Sequence, residues 1–259
     1  MRAITREISP SIGRCELVHL TRTPIDVLRA RTQHERYERC LVDAGYTVER
    51  LRSGPDLPDA VFVEDIAVVV DECAVIARPG AVSRRAETPA VAEALRPYRM
   101  LHEIAPPATL DGGDVLIVGH LALVGRSART NDAGIAQLRI VLGSYGYDVR
   151  AVPVGGCLHL KSAVTTVSDD TLLVNRAWVP AGAFAGFTLV DVDPDEPYAA
   201  NALRLVDRIV YPTAFPKTLA RLDTLGVRVE ATDLGELAKA EGAVTCCSVI
   251  FAERVKDGE

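Results

Sequence analysis

Short apolar runs and segments with helical spacing alternate along the chain in a cycle that recurs about every 48 residues. One cycle consists of two short apolar runs, a helix and a third apolar run. In the clearest cycle the helix begins at Asn131 or Asp132 and ends near Tyr145, before Gly146. Its apolar residues lie three or four positions apart, which indicates one buried face. The matching positions Asp65, Asp114 and Ser162 of successive cycles are 49 and 48 residues apart (114 − 65 and 162 − 114).

One complete cycle precedes this one, two follow it, and a fifth is divided between the chain ends. The predicted strands are 62–70, 74–77, 100–104, 115–118, 122–124, 147–152, 162–167, 171–174, 188–192, 203–206, 209–211 and 227–230. Further helices are predicted from Thr88 and Pro89 to Arg96, and near 216–225. The divided cycle combines 244–251 with 16–20, a helix that ends at Ala44, and 47–51. A ring closed by both chain ends and an ordinary α/β sheet both fit this pattern.

Composition narrows the class of protein without identifying it. The 259 residues are 48% hydrophobic, which is typical of a folded globular chain, and no linker divides them, so we expect one domain over 1–259. The segment 178–200 is rich in Pro, Gly and Asp and is interpreted as a long surface excursion around one strand. The net charge is −6 and the basic residues are scattered, which disfavours nucleic-acid binding.

The same features exclude several cellular settings. No apolar run has the length of a membrane span, and the N-terminus lacks the apolar core of a signal peptide. We therefore expect a cytoplasmic protein that does not bind membranes. The six cysteines form no C-x-x-C motif and no zinc-type cluster, so we expect neither a disulfide framework nor a structural metal.

Polar residues that need an explanation occur at the starts of the cycles. They are Asp59, Glu64 and Asp65, then Asp111 and Asp114 around Gly112-Gly113, then His159, and finally Cys246 beside Cys247. Each has a purely structural interpretation. The cysteines could fill a core, the two glycines could supply positive φ in a turn, His159 could be a satisfied core histidine, and Glu64 or Asp65 could pair with Arg84 or Arg85.

A ring would change that interpretation, because equivalent ends of its units face one central cavity. A thiol, an imidazole and several carboxylates would then converge. Clustered carboxylates suit a guanidinium group, whose planar array of donors matches them. A thiolate suits attack on the guanidinium carbon, and a histidine can protonate the departing amine and later deprotonate water. These residues therefore indicate hydrolysis of a guanidino compound.

Seven motifs sharpen this hypothesis. They are QHERY (33–37), LPDAVFVEDIAVV (57–69), RPGAVSRR (78–85), LDGGDVL (110–116), RTN (129–131), LHLKS (158–162) and TCCSV (245–249). Together they resemble the dimethylarginine dimethylaminohydrolases of the guanidino-group-modifying superfamily. The resemblance implies an α/β fold, a five-unit ββαβ pseudo-symmetric propeller of the pentein type closed by N- and C-terminal strands. It also implies hydrolysis of asymmetric dimethylarginine or monomethylarginine to citrulline and dimethylamine or methylamine.

The resemblance assigns roles to particular residues. Cys246 matches the nucleophile that forms a covalent thiouronium intermediate, with Cys247 as its buried neighbour. His159 matches the general acid and base, and Asp111 the acid that supports it. The implied substrate-binding residues are Asp65 with Glu64 beside it for the guanidinium, Arg84 and Arg129 for the α-carboxylate, and Asp59 with the carbonyls of Leu20 and Ala240 for the α-amino group.

No cofactor or catalytic metal is implied, although zinc bound at Cys246 would inhibit. The expected partner is a small guanidino substrate, and the expected state is a monomer or a homodimer. The loop 20–29, a lid in such enzymes, is shorter here than in animal relatives, and 178–200 lacks a good match.

Four other readings compete. Arginine deiminases share the chemistry but carry an added helical domain that 259 residues do not accommodate, and amidinotransferases are also longer. An inactive propeller that acts as a binding protein would not need Cys246, His159 and Asp111 together. A redox or metal-binding role for the cysteine pair would require a strained vicinal disulfide and lacks a second thiol pair.

Overall fold

The computed structural model describes residues 1–253 and contains five small sheets, each of three strands. The strands are β1 (Arg2–Arg6), β2 (Thr47–Leu51), β3 (Ala67–Val69), β4 (Cys73–Ile76), β5 (Met100–Glu103), β6 (Val115–Val118), β7 (Leu121–Arg126), β8 (Asp148–Pro153), β9 (Val164–Thr166), β10 (Thr171–Val174), β11 (Thr188–Asp191), β12 (Leu203–Arg204), β13 (Ile209–Pro212), β14 (Val229–Thr232) and β15 (Val249–Phe251).

Every sheet has the same topology. Its first two strands form an antiparallel pair, and the third joins the middle strand in parallel after a crossover. In the divided unit the middle strand β1 pairs with β15 from the C-terminus and with β2. Both chain ends therefore close the structure, and the prediction of a five-unit ββαβ propeller is confirmed.

Five apolar clusters show how the units are arranged in a ring. Each cluster contains side chains from two units: β1 with β4, β4 with β7, β7 with β10, β10 with β13, and β13 with β1. Successive residues of a middle strand point to opposite clusters, as Leu172 and Leu173 of β10 do. Because both faces of each sheet are buried, the middle strands read as continuous apolar runs.

Helices connect the strands on the outside. They are α1 (Val27–Asp43), α2 (Thr88–Leu95), α3 (Asp132–Gly143), α4 (Leu160–Ala163), α5 (Pro216–Asp223) and α6 (Gly235–Ala238). Asp26 and Asn131 cap α1 and α3 by accepting backbone N–H groups, and Gly45 and Gly146 follow these helices with positive φ. The unit of β9–β11 has a 3₁₀ turn, Ala181–Phe184, in place of a crossover helix. No helix within residues 1–253 combines the length and apolarity that crossing a membrane requires.

Three predicted strands were wrong in the same way, and a fourth was wrong for a different reason. The run 62–70 begins with a 3₁₀ turn, Val63–Ile66, 162–167 begins inside α4, and 244–251 is turn until β15. Helical turns at these places allow polar side chains to face the centre, whereas a strand would direct them alternately into two apolar clusters. The predicted strand 16–20 is irregular, and β1 takes its place in the sheet.

Two glycines of α3 provide a matched test of packing. A methyl group on Gly134 would lie 2.0 Å from the carbonyl oxygen of Thr109, whereas Gly143 has open space. We expect Gly134→Ala to lower the free energy of unfolding by about 1–3 kcal/mol. Gly143→Ala should raise it by up to about 1 kcal/mol, because alanine restricts the unfolded chain. Urea denaturation of both variants checks this, and equal effects would contradict the packing of α3.

Candidate active site

Polar residues at the starts of three units line one small cavity, and Asp111 of a fourth unit contacts it through His159. Asp65 lies in the turn Val63–Ile66, and Asp111 directly precedes the turn Gly112–Asp114. His159 is the N-cap residue of α4, and Cys246 lies in the turn before β15. Ring closure therefore brings together residues that are separated by up to 181 positions (246 − 65).

His159 lies between two carboxylates and is almost fully buried. Its Nε2 is 3.0 Å from Oδ2 of Asp111, and its Nδ1 is 3.6 Å from Oδ1 of Asp65. Asp111 is held in turn by the backbone N–H of Gly80, which donates to its Oδ1 at 2.8 Å. The first contact is a hydrogen bond and the second is longer than one, so Nδ1 is the ring nitrogen that can serve a substrate.

The electrostatic environment favours the imidazolium form of His159. Burial lowers its pKa, but Asp65, the hydrogen bond to Asp111 and the charge of Asp114 outweigh burial and raise the pKa to about 9. At neutral pH the ring therefore carries a proton on each nitrogen. It is ready to act as a general acid.

The two glycines of the DGGD motif are needed for close approach. Neither Gly112 nor Gly113 has positive φ, so the turn interpretation of the motif was wrong on this point. A methyl group on Gly112 would lie 2.0 Å from the carbonyl oxygen of Glu64. On Gly113 it would lie 2.5 Å from Oδ1 of Asp65 and 2.7 Å from Nδ1 of His159. The motif thus leaves space for the carboxylate and the imidazole to face each other.

The neighbouring cysteines have different surroundings. Cys246 is half-buried and lines the cavity, and its carbonyl oxygen accepts the N–H of Glu64 at 3.2 Å. Cys247 is fully buried in the apolar cluster between β13 and β1. Burial, together with the charges of Glu64 and Asp65, raises the pKa of the Cys246 thiol. The thiol is therefore protonated at rest and needs a nearby cation to ionise.

The cavity is closed and small, with a volume of about 20 Å³. Its lining residues are Glu16, Asp59, Phe62, Asp65, Arg84, Arg129, Leu158, His159, Ala240, Glu241 and Cys246. This volume holds about one water molecule. An amino acid the size of arginine therefore needs part of the lining to move, and one lining residue, Glu16, lies on the loop before α1.

The two predicted carboxylate-binding arginines differ in their partners. Arg84 is buried and bonded to Asp65 at 2.5 Å, to both carboxylate oxygens of Glu87, and to the carbonyl of Phe62. Within residues 1–253 the guanidinium of Arg129 makes no ion pair or side-chain hydrogen bond, yet it lines the cavity. Arg129 is therefore the available cation, while the predicted carboxylate contact of Arg84 competes with two acidic partners.

Replacement of Arg129 tests this difference. We expect Arg129→Ala to raise KM about 10- to 100-fold with little change in kcat, because a charge-assisted contact to the remote α-carboxylate is lost equally from ground and transition states. Arg84→Ala should instead destabilise the fold, because it leaves Asp65 and Glu87 buried without a cation. Steady-state kinetics and thermal unfolding of both variants check this. A kcat collapse in Arg129→Ala would contradict it.

Asp59 also lines the cavity. Both of its carboxylate oxygens accept the N–H of Glu16, at 3.1 and 3.2 Å. Burial raises its pKa to about 6, despite the nearby charge of Arg84. Burial makes the charged form of this carboxylate costly, and a neighbouring cation stabilises that form. The position of Asp59 therefore fits an ammonium group.

Glu64 is turned away from this cavity. Its carboxylate accepts hydrogen bonds from Nζ of Lys161 and Oγ1 of Thr245, both at 2.6 Å. It lines a separate central channel of about 350 Å³ between the sheets. The ion pair suggested by sequence therefore exists for Asp65 with Arg84, and Glu64 pairs with Lys161, which sequence reasoning did not identify. The predicted contact of Glu64 with guanidinium stays a prediction that this geometry does not favour.

Leu20 lies on the loop before α1 and does not line the small cavity. Its backbone N–H donates to Oε1 of Glu241 at 2.7 Å. Ala240 is buried and does line the cavity. Glu241 was missed as a site residue, although its place before Gly242, in the segment that leads to Cys246, was an available signal.

Asp65, Asp111 and His159 could also hold a metal ion, since one ligand atom from each lies within 4.8 Å of the others. All three atoms already have partners in the protein: Arg84 on Asp65, and His159 itself on Asp111. With the His159 pKa raised to about 9, a metal would also have to displace a proton.

A cysteine, an imidazole–carboxylate pair and a further buried carboxylate at the centre of a five-unit ββαβ ring define a hydrolase of the guanidino-group-modifying class. The chain is 40% identical over 255 residues to N(G),N(G)-dimethylarginine dimethylaminohydrolase of Streptomyces coelicolor, covering 97% of each chain. It is 33% identical to the Pseudomonas aeruginosa enzyme of the same name, covering 87% of this chain and 90% of that one. It belongs to the dimethylarginine dimethylaminohydrolase family.

Solved structures agree with this assignment. A Pseudomonas aeruginosa DDAH in which a cysteine is replaced by serine, complexed with citrulline, superposes with a TM-score of 0.91 at 32% identity and covers 96% of this chain and 98% of that one. The N-terminal domain of ArgZ, a cyanobacterial arginine dihydrolase, shares the fold with a TM-score of 0.86 at 18% identity and 96% coverage of both chains. No family model matches the sequence.

Proposed function

We propose that this protein hydrolyses N-omega-methylated arginines to citrulline and dimethylamine or methylamine, with Cys246 as the nucleophile. The observation that carries the proposal is the placement of Cys246, His159 and Asp65 around one closed cavity in this fold. The named relatives and the citrulline complex of a structural neighbour support it. We propose the roles of the individual residues from their contacts.

Substrate binding creates the nucleophile. At rest Cys246 is a thiol, because burial and two carboxylates raise its pKa, and His159 is already an imidazolium. A guanidinium held by Asp65 brings a positive charge next to the sulfur in a site with little water. That charge lowers the thiol pKa, and the proton leaves to solvent. Ionisation is thus coupled to the arrival of a cationic substrate.

The thiolate then attacks the guanidinium carbon and forms a C–S bond. The resulting tetrahedral adduct expels the methylated nitrogen as its C–N bond breaks, and Nδ1 of His159 gives that nitrogen its proton. The amine leaves, and the thiouronium group stays attached to Cys246. Asp111 holds the ring through Nε2 throughout this step.

The neutral imidazole next serves as the base. It takes a proton from a water molecule that enters where the amine was, and the hydroxide adds to the thiouronium carbon. Collapse of this adduct breaks the C–S bond, and the hydroxyl proton passes to the departing sulfur, so citrulline is released and Cys246 returns to its resting thiol form. His159 again carries two protons, so the cycle is balanced.

A second cavity adjoins the small one. It has a volume of about 310 Å³, shares Leu158 and Glu241 with the small cavity, and is walled mainly by apolar side chains such as Phe215 and Leu234. Tyr198, from the excursion 178–200, also lines it. Arginine deiminase activity is the second candidate, and the relatives named as dimethylarginine dimethylaminohydrolases favour the first.

A citrulline assay with dimethylarginine, monomethylarginine, arginine and agmatine, each with and without a chelator, tests the proposal. We expect both methylated amino acids to be turned over, arginine much more slowly, and the chelator to leave the rates unchanged or to raise them by removing zinc from Cys246. Turnover of arginine alone would replace the proposed function with deiminase activity. A cytoplasmic location and a monomeric or homodimeric state remain predictions.

A further inference from the structure

One carboxylate oxygen holds the loop over the active site. Oε1 of Glu241 accepts the backbone N–H groups of Val18, His19 and Leu20, at 2.9, 2.6 and 2.7 Å. Three consecutive amides directed at one oxygen form an anion-binding turn. The loop has no regular secondary structure, and this contact ties its middle part, residues 18–20, to the segment that leads to Cys246.

The other oxygen of the same carboxylate has no partner. Oε2 of Glu241 is buried and accepts no hydrogen bond in the described part of the chain. A buried carboxylate oxygen without a donor is costly, and native proteins rarely leave one unless a ligand completes it. Glu241 lines the substrate cavity together with Asp59 and Ala240. The missing donor is therefore expected from a molecule bound there.

The backbone at Glu241 is also unusual. Its φ is +59°, the only positive value at a non-glycine residue among residues 1–253. It follows the end of α6, where glycine is the usual left-handed residue. The next residue, Gly242, cannot change places with Glu241. A methyl group at position 242 would lie 2.2 Å from the ring of Phe62. Strained positions of this kind cluster at functional sites.

We propose that Glu241 is a substrate-binding residue, whose Oε2 accepts a hydrogen bond from the α-ammonium group while Oε1 keeps the loop 18–20 closed. The inference rests on the proposed function and deepens it. Asp59 accepts one N–H, that of Glu16, through both of its oxygens, and an ammonium group has three donors, so a second carboxylate beside Asp59 completes the site. Glu241 supplies the free acceptor.

The same carboxylate links recognition to closure. The cavity holds about 20 Å³, so entry of a substrate requires part of the lining to move, and the loop held by Glu241 carries the lining residue Glu16. With an ammonium group bound to Oε2, both carboxylate oxygens of Glu241 have hydrogen-bond donors only when the loop is in place to donate to Oε1. The substrate class is therefore a free α-amino acid. A guanidino compound without an α-ammonium group, or with that group acylated, leaves the site incomplete.

The test combines the substitution of Glu241 with removal of the α-amino group from the substrate. The substrates are monomethylarginine and its analogue without the α-amino group, and the protein variants are wild type, Glu241→Gln and Glu236→Gln. Glutamine at 241 keeps an oxygen for the loop amides but presents an NH₂ to the ammonium group. Glu236 is the matched control, because it accepts the N–H of Asp26 beyond the same loop without lining the cavity.

We expect the α-amino group to raise kcat/KM about 10- to 100-fold in wild type and in Glu236→Gln, through KM, and to give little advantage in Glu241→Gln. The inference is overturned if Glu241→Gln lowers kcat/KM for both substrates by the same factor. That result is expected if Glu241 only holds the loop 18–20 in place. Glu241→Ala adds a second readout. Loss of the hydrogen bonds between Glu241 and the loop amides should make residues 16–25 sensitive to limited proteolysis.

A binding measurement separates this inference from the proposed function. Affinities of citrulline and of its analogue without the α-amino group are measured by calorimetry in Cys246→Ser, with Glu241 or with Glu241→Gln. A loss of preference for citrulline in the double variant supports the ammonium site even if wild type turns over neither methylarginine. An unchanged preference overturns it even if wild type is fully active.

Discussion

Cys246→Ser should lose citrulline formation by about 10⁴-fold or more while the protein remains folded. A serine hydroxyl in the same place is not ionised by an adjacent guanidinium, so no nucleophile forms. Cys246 is half-buried and the replacement is almost isosteric, so the melting temperature should change little. Citrulline production and thermal unfolding, measured on the same preparation, check both parts. Retained turnover would remove Cys246 from the mechanism.

Cys247→Ser is the matched control for this experiment. Its sulfur lies in the apolar cluster between β13 and β1 and contacts the carbonyl of Ala243 at 3.5 Å. Most of the activity should remain, whereas the free energy of unfolding should fall by about 1–3 kcal/mol, because a hydroxyl is buried in an apolar site. If Cys247→Ser alone were inactive at unchanged stability, the roles of the two sulfurs would be reversed.

His159→Ala should reduce kcat by about 10²–10⁴-fold, the usual effect of removing a positioned acid and base. The protonated ring is the catalytic form for amine departure, so kcat/KM of wild type should fall as pH rises through about 9. That alkaline limb should be absent in His159→Ala. A pH profile of both proteins checks this. Persistence of the limb in the variant would assign it to another group.

Asp111→Asn is the control for the electrostatic part of that account. The hydrogen bond from Nε2 to Asp111 helps to raise the His159 pKa, and its charge is lost in the variant. The alkaline limb should therefore move to lower pH, while Asp65 still supports some imidazolium. If the alkaline limb stayed at the same pH, Asp111 would orient the ring without changing the pKa of His159.

The cycle of about 48 residues and the fifth unit divided between the chain ends predicted a ring but left an ordinary α/β sheet open, and the resemblance decided between them. In the structure, runs such as Leu172–Val174 are covered on two sides by clusters shared with the neighbouring units. The helical turns at the heads of the units escaped prediction. In 62–70 the apolar residues around Asp65 have strand-like composition, and its contacts with Arg84 and Gly113, 19 and 48 residues away, cause the chain to turn.

The convergence of Cys246, His159 and Asp111 was predicted from their register in the cycle. Contacts that cross between units were not. The pairing of Glu64 with Lys161 spans 97 residues, and the hold of Glu241 on Leu20 spans 221, so no local pattern encodes either. Arg84 was distinguished from Arg85 only by resemblance, and its burial between Asp65 and Glu87 shows why the two are not equivalent.

The central claim is that the guanidino carbon of the substrate becomes covalently attached to Cys246. Rapid acid quenching of wild type during turnover of dimethylarginine, followed by mass spectrometry of the digested protein, tests it most directly. The account predicts that the peptide containing Cys246 gains the mass of the substrate minus dimethylamine, and that Cys246→Ser shows no such gain. Steady citrulline production without this adduct, or the adduct on Cys247, would contradict it.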